Sequence, residues 1–420
     1  MAKDKRRFDM DKKPKKANYL LYPIMVVASF VTLIFYRHKL KKINTKGLKP
    51  PYILLCTHAS MVDFNAAVKA IFPHRPTWMI SIEEFNRSEW LMRGVGGIAK
   101  RKFTKDIVAV KHVLYVLKKK GIVIIYPEAR FSLAGINEHV DKALGKLVKK
   151  ANVPLVVMRN HGHFIQSPQW CKHPYRKIPL LSEFEQVLSK EQVENTSSEE
   201  IQKLIEEKLV FNDYDYQHEH HYLVKCKKRM QNSHKVLYKC PHCQTEYEMI
   251  GENTTIKCNH CGITYELDEE GYLHCLNGET KFKSIPEWYL WEKEEVIKEV
   301  RAHKYHFEDE VYIEELFKPS IGLVPLGKVK FTHDYLGMKL EGTLDDGSHF
   351  NFFRPAIEQE SCHIEYFFKN HKKEVGPAID VASINQTFFI WPINYKEALT
   401  KIHFATEEIY NMAMENLKGE

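Results

Sequence analysis

Tyr52-Ile53-Leu54-Leu55-Cys56-Thr57-His58-Ala59-Ser60-Met61-Val62-Asp63 is a short apolar run that stops at a polar hexapeptide, and the junction between the two is the key to the fold. Residues five apart point well away from each other on a continuous helix. His58 and Asp63 therefore meet only if His58 lies in a strand-to-helix loop and Asp63 in the first helical turn. The flanking residues support that placement. Pro50-Pro51 open the strand, Ser60 is a good N-cap, and Val62, Ala66, Ala67, Ala70 and Ile71 recur with helical period. A carboxylate near a helix N-terminus stays ionised against the dipole. Bonded to one imidazole nitrogen of His58, it leaves the other free to take a proton from a hydroxyl. Ser60-x-x-Asp63 is also a capping-box pattern, in which Asp63 does no more than occupy backbone donors.

Working outward, strand-like and helix-like stretches alternate. Residues 78–82, 121–126 and 153–158 read as further strands. Between them, Asp106 to Lys120 places Ile107, Val110, Val113, Leu114 and Leu117 on one helical face, and His139 to Lys150 does the same with Val140, Leu144, Leu147 and Val148. A short helix over 199–209 closes the unit. The pattern predicts an α/β layer, and in such sheets ligands gather beyond the carboxyl ends of the strands. Both His58 and the pair Glu128/Arg130, which follows the strand 121–126, fall there.

The second block reads Tyr126-Pro127-Glu128-Ala129-Arg130-Phe131-Ser132. Together with His58-x4-Asp63 it resembles the signature of the glycerolipid acyltransferases typified by 1-acylglycerol-3-phosphate acyltransferase, His-x4-Asp followed by Phe-Pro-Glu-Gly-Thr-Arg-Ser. Two further blocks are similar in order and character: Gly94-Val-Gly-Gly-Ile-Ala-Lys-Arg101, and Val153-Pro154-Leu155-Val156-Val157. The likeness covers about residues 43–211. It departs from the family in the second block, where the basic residue comes one position early, Phe131 stands where the family has Arg, and Ala129 replaces Gly.

The resemblance implies a mixed sheet flanked by helices, with His58 as general base and Asp63 orienting it. Arg130, with Lys100 or Arg101, would hold the acceptor's phosphate, and Glu128 completes the substrate-binding set. Lys100, Arg101 and Lys102 equally suit an exposed charge run or a membrane-contacting patch. The acyl donor implied is acyl-coenzyme A or acyl carrier protein, and the acceptor a lysophospholipid, foremost 1-acylglycerol 3-phosphate. Glycerol 3-phosphate and a non-phosphate alcohol stay open as acceptors.

With 420 residues and 44% hydrophobic content the chain can bury a sizeable core over several domains, and its charge of +8 is modest. Residues 19–36 form an uncharged apolar run flanked by Lys12, Lys13, Lys15 and Lys16 and by Arg37, Lys39, Lys41 and Lys42. Basic residues at both ends, with Pro23 inside, fit a segment dipping into the cytoplasmic leaflet at least as well as one crossing the bilayer. Arg37-His38-Lys39 stands where a signal-peptide cleavage site would need small residues. The expected location is the cytoplasmic face of a cell membrane.

Nine cysteines do not suggest a disulfide framework, and four of them form Cys240-Pro-His-Cys243 and Cys258-Asn-His-Cys261. Paired knuckles at this separation suit structural Zn²⁺ in a ribbon, whose thiols must stay reduced. Cys275, His274 and the tract His218 to His221 read as surface residues. Beyond residue 280 the chain turns aromatic and strand-rich: a hairpin over Leu336–Thr343 and His349–Phe353, strands at Cys362–Phe368 and Thr387–Trp391, then a helix from about Tyr395. This end resembles a pleckstrin-homology-like barrel. The expected division is a basic N-terminus with its apolar segment over 1–42, an acyltransferase domain over 43–215, a zinc ribbon over 216–278 and a β-rich domain over 279–420.

The competing reading is a catalytically silent membrane scaffold that binds lipid and docks a partner through the ribbon. Nucleic acid is not an expected partner, because residues 240–266 hold one Lys, no Arg and four Glu.

Overall fold

A computed structural model describes residues 8–171, 176–318 and 321–419. Its first sheet contains β1 (Lys39–Ile43), β2 (Tyr52–Cys56), β3 (Pro76–Ser81), β4 (Gly97–Lys100), β5 (Ile122–Ile125), β6 (Leu155–His161) and β7 (Leu181–Leu188), in the order β1-β7-β6-β2-β5-β3-β4. Every pair is parallel except β6 with β7, so the sheet is mixed. Strand β2 is buried along its whole length because β5 and β6 flank it and helices cover both faces. That burial explains an unbroken apolar run in place of alternation. β1, β4 and β7 were not anticipated. β1 is three lysines in five residues at the sheet edge, where charge is tolerated and apolar periodicity is lost.

Helix α1 (Leu21–Phe35) packs on α2 (Val62–Ile71). It buries Met25, Ser29 and Leu33 and exposes Ile24, Val27, Val31, Ile34 and Phe35. At ~1.5 Å per residue a helix this short falls below the ~30 Å of a bilayer core. No helix among the described residues is long and apolar enough to cross a membrane.

The predicted helix over 106–120 runs from Ile107 to Lys118 with Asp106 as its cap, but its buried stripe is Ala109, His112, Val113, Val116 and Leu117, with Ile107 exposed. The helix expected over 139–150 starts only at Leu144, because His139 and Asp141 are turned outward to Glu360 and Lys100.

Four short antiparallel strands, β8 (Met249–Glu252), β9 (Thr255–Cys258), β10 (Thr264–Leu267) and β11 (Leu273–Cys275), form the ribbon. A long helix, Ile285–Arg301, leads to a seven-stranded antiparallel sheet: β12 (Phe307–Leu316), β13 (Leu323–Asp334), β14 (Gly337–Thr343), β15 (His349–Pro355), β16 (His363–Lys369), β17 (Val375–Ala382) and β18 (Thr387–Pro392). β12 pairs with both β13 and β18, giving the order β15-β14-β13-β12-β18-β17-β16. The terminal helix Leu399–Gly419 packs against this sheet and against the helix Ile285–Arg301.

The β-rich domain is fastened to the first sheet by the cations expected to grip substrate. Arg130, buried, donates to Glu407 at 2.7 Å, Glu138 at 3.2 Å, Ser361 at 2.8 Å and His403 Nδ1 at 2.9 Å. Burial opposes its charge, but Glu407 and Glu138 more than offset that and raise its pKa. Arg101 donates to the Ile384 carbonyl at 2.8 Å, and Lys102 reaches Asp380 at 3.3 Å. Lys100 pairs with Asp141 at 3.5 Å. Arg130 and Arg101 therefore tie the first sheet to the C-terminal β-rich region. Removing one partner of such a buried network strands the others, so Arg130→Ala should lower unfolding free energy by about 3–5 kcal/mol. Denaturant unfolding followed by tryptophan fluorescence checks this.

Candidate functional site

β2 ends at Cys56, and α2 begins at Val62 with Met61 as the N-cap residue; Ser60 Oγ accepts only a 3.4 Å contact from the Val62 N–H. No side chain caps the helix; Asp63, in its first turn, reaches back to the loop instead. Its Oδ2 accepts from the backbone N–H of Ala59 at 2.6 Å and of Ser60 at 2.9 Å, and the same oxygen holds His58 Nδ1 at 3.0 Å. The two readings of Ser60-x-x-Asp63 thus coexist on one carboxylate. Burial alone would raise the Asp63 pKa, but hydrogen bonds from His163 and His58 bring it down to about 2.

The His58 ring is sandwiched. Tyr126 stacks on it at 4.0 Å and 24°, and Phe131 lies against it at 4.1 Å and 38°. Trp78 continues the column, near-parallel to Tyr126 at 6.4 Å and stacked on Phe64 at 4.4 Å. Both faces of the imidazole are covered, so the base presents only its edge. Nδ1 is held by Asp63, and no hydrogen bond to Nε2 occurs among the described residues. The Ser132 N–H also donates to the His58 carbonyl at 2.8 Å, so the second sequence block is pinned to the first.

Ala129 has a φ of 55°, the left-handed region where the family pattern carries Gly. The turn sends Arg130 into the interdomain network and lays Phe131 on His58. Glu128 is fully buried, with Oε1 3.5 Å from the Glu138 N–H. Burial and then the nearby Glu138 push its pKa well up. Of the sequence-predicted site residues, the structure brings His58 and Asp63 together; Glu128, Arg130 and Arg101 are buried in other contacts, and Lys100 is held by Asp141.

His163 was missed. It is fully buried after β6 and its Nδ1 lies 2.6 Å from Asp63 Oδ1. The one local signal is that His163 falls just past the predicted strand 153–158; that this strand lies beside β2 is seen only in the fold.

The family model described as Acyltransferase matches residues 35–159, a stretch that contains His58, Asp63 and the aromatic column. This stretch of the chain is similar to the acyltransferases. Among solved structures, that of the 1-acyl-sn-glycerophosphate (LPA) acyltransferase PlsC from Thermotoga maritima aligns with 45% of this chain and 76% of its own, at 14% identity and a TM-score of 0.36. No curated protein matches the chain.

Away from that stretch, the Sγ atoms of Cys240, Cys243, Cys258 and Cys261 lie within 4.8 Å of one another. Cys240 to Cys261 is 3.6 Å and Cys243 to Cys258 is 3.8 Å. Tetrahedral Zn–S bonds of about 2.3 Å place sulfurs about 3.8 Å apart, so this donor set fits zinc. Four thiolates leave no open position, and the metal's chemistry here is cross-linking. His274 turns instead to Asp268, at 2.7 Å. Metal analysis should find one zinc per chain, and Cys258→Ser or a strong chelator should release it and lower the melting temperature. A full-length protein that melts unchanged without zinc would contradict this.

Proposed function

We propose that this protein moves a fatty acyl group from an acyl thioester, acyl-coenzyme A or acyl carrier protein, to the hydroxyl of a lysophospholipid at the cytoplasmic face of a membrane. The acceptor we favour is 1-acylglycerol 3-phosphate. The observation that carries the reading is His58 held edge-on, with Nδ1 on an ionised, buried Asp63 and Nε2 left for a substrate proton. His58 takes the acceptor hydroxyl proton as the oxygen attacks the thioester carbonyl. The tetrahedral adduct then collapses, the C–S bond breaks, and the imidazolium returns its proton to the leaving thiolate. No covalent bond to the enzyme forms. Asp63 supports the transient positive charge on His58 and fixes its tautomer.

The exposed apolar face of α1 supports the membrane part. It lies beside α2, which carries Asp63; Ser29 bonds Asn65 at 3.0 Å and Phe30 meets Phe72 at 5.8 Å. Met61, 68% exposed, adds an apolar side chain at the start of α2. Lysines flank the segment, suiting an anionic leaflet. A lysolipid acceptor resides in that surface.

The test supplies labelled acyl-coenzyme A with 1-acylglycerol 3-phosphate, glycerol 3-phosphate, lysophosphatidylcholine or monoacylglycerol. Wild type should acylate 1-acylglycerol 3-phosphate best, and His58→Ala should lose roughly 10²–10⁴-fold in rate. Equal incorporation by both proteins would overturn catalysis and favour the silent scaffold. In vesicle sedimentation, Ile24→Asp with Val31→Asp should weaken binding to anionic liposomes; unchanged binding would remove α1 as the membrane contact.

A further inference from the structure

Asp63 has one more partner than the His58 pair needs. Oδ2 takes three donors, from His58 and the two backbone N–H groups, while Oδ1 faces His163 Nδ1 at 2.6 Å. Both His163 and Asp63 are wholly buried. The ring of His163 carries its proton on Nδ1, because a lone pair there would face the lone pairs of an ionised carboxylate at hydrogen-bond distance. Its Nε2 is buried without a hydrogen bond, as the deprotonated nitrogen of that tautomer would be.

The placement of His163 is itself enforced. Asp213 accepts from the N–H of Gly162 at 2.8 Å and of Phe164 at 2.7 Å, the residues on either side. Gly162 has a φ of 82°, and a Cβ there would meet Ile178 Cδ1 at 3.0 Å and Tyr216 Cε1 at 3.1 Å. The turn therefore requires glycine and offers His163 one direction.

We propose that His163 is a positioning residue for the His58–Asp63 pair: its Nδ1–H occupies the second carboxylate oxygen, holding Asp63 ionised and fixed in the plane that meets His58. This rests on the reaction proposed above. Burial pulls the Asp63 pKa up, and the bond from His163 is the first of the interactions that hold it down. The neighbouring titratable groups do not replace it. Behind His163, His38 is pushed down to about 3 by burial, then by His163 and Lys69, and is neutral. Lys69 itself bonds His38 Nδ1 at 3.3 Å and the His38 carbonyl at 3.1 Å. On β6, His161 is lowered by burial and stands beside Glu183. On β2 and after β5, burial first and then Asp63 or Cys56 raise the Cys56 thiol and the Tyr126 phenol, so both are neutral. Burial and then Glu138 push the Glu128 pKa well up, and burial pushes Asp213 up to about 7.

Asp63 must be ionised to act, and without His163 its pKa rises, so activity is lost at a higher pH on acidification. The experiment compares wild type, His163→Leu and His163→Asn, in which the Asn amide can donate in place of Nδ1. His163→Leu should lower kcat about 10–100-fold with KM nearly unchanged, and move the acid limb of the pH profile upward by about one unit or more. His163→Asn should recover most of both. A folded His163→Leu protein with wild-type kcat and acid limb would overturn the proposal.

A second readout needs no turnover. Proton NMR of the full-length protein should show two downfield histidine Nδ1–H resonances that both disappear in Asp63→Asn, with one of them lost in His163→Asn. A single such resonance in wild type would overturn the proposal even if His163→Leu fails to fold. Two resonances, together with undiminished acyl transfer by His58→Ala, would leave the positioning intact and sink the proposed reaction.

Discussion

A carboxylate sealed from water survives as an anion only where donors surround it, and Asp63 is such a case: two imidazoles and two backbone N–H groups meet its two oxygens. The donors come from distant parts of the chain. Ala59 and Ser60 belong to the loop after β2, and His163 follows β6, which lies parallel to β2. The sheet must pair in this order for the anion to be compensated, and the anion in turn ties the loop to the start of α2. Stability and chemistry share one group here, because the cost of burying Asp63 is offset by the contacts that aim His58.

What was legible in the sequence is what is local. The strand, loop and helix around His58 could be read because five residues suffice to define them, and the ribbon cysteines because each knuckle spans four. His163 escaped because its bond to Asp63 spans 100 residues and depends on β6 lying next to β2. The direction of a loop side chain is equally invisible. One left-handed residue, Ala129, decides that Arg130 enters the interior and Phe131 covers His58. Charged or polar edge strands such as β1 were lost because their environment, and not their composition, makes them strands.

The fate of the basic residues links the domains to the site. Arg101 and Arg130 are spent on Ile384, Glu407, Ser361 and His403, all contributed by the β-rich domain. The last third of the chain is therefore tied to the first sheet through the sequence blocks around Arg101 and Arg130. The Arg130 loop is the one that carries Tyr126 and Phe131, so the C-terminal helix, through Glu407, braces the aromatic walls around His58.

The buried carboxylate either powers the imidazole or merely holds the backbone donors of the loop before α2. Single-turnover acyl transfer by Asp63→Asn separates the two, because Asn keeps the shape and still accepts from the backbone, while losing the charge. The account predicts a folded protein whose rate falls by roughly 10³–10⁴-fold. A rate within tenfold of wild type would contradict it.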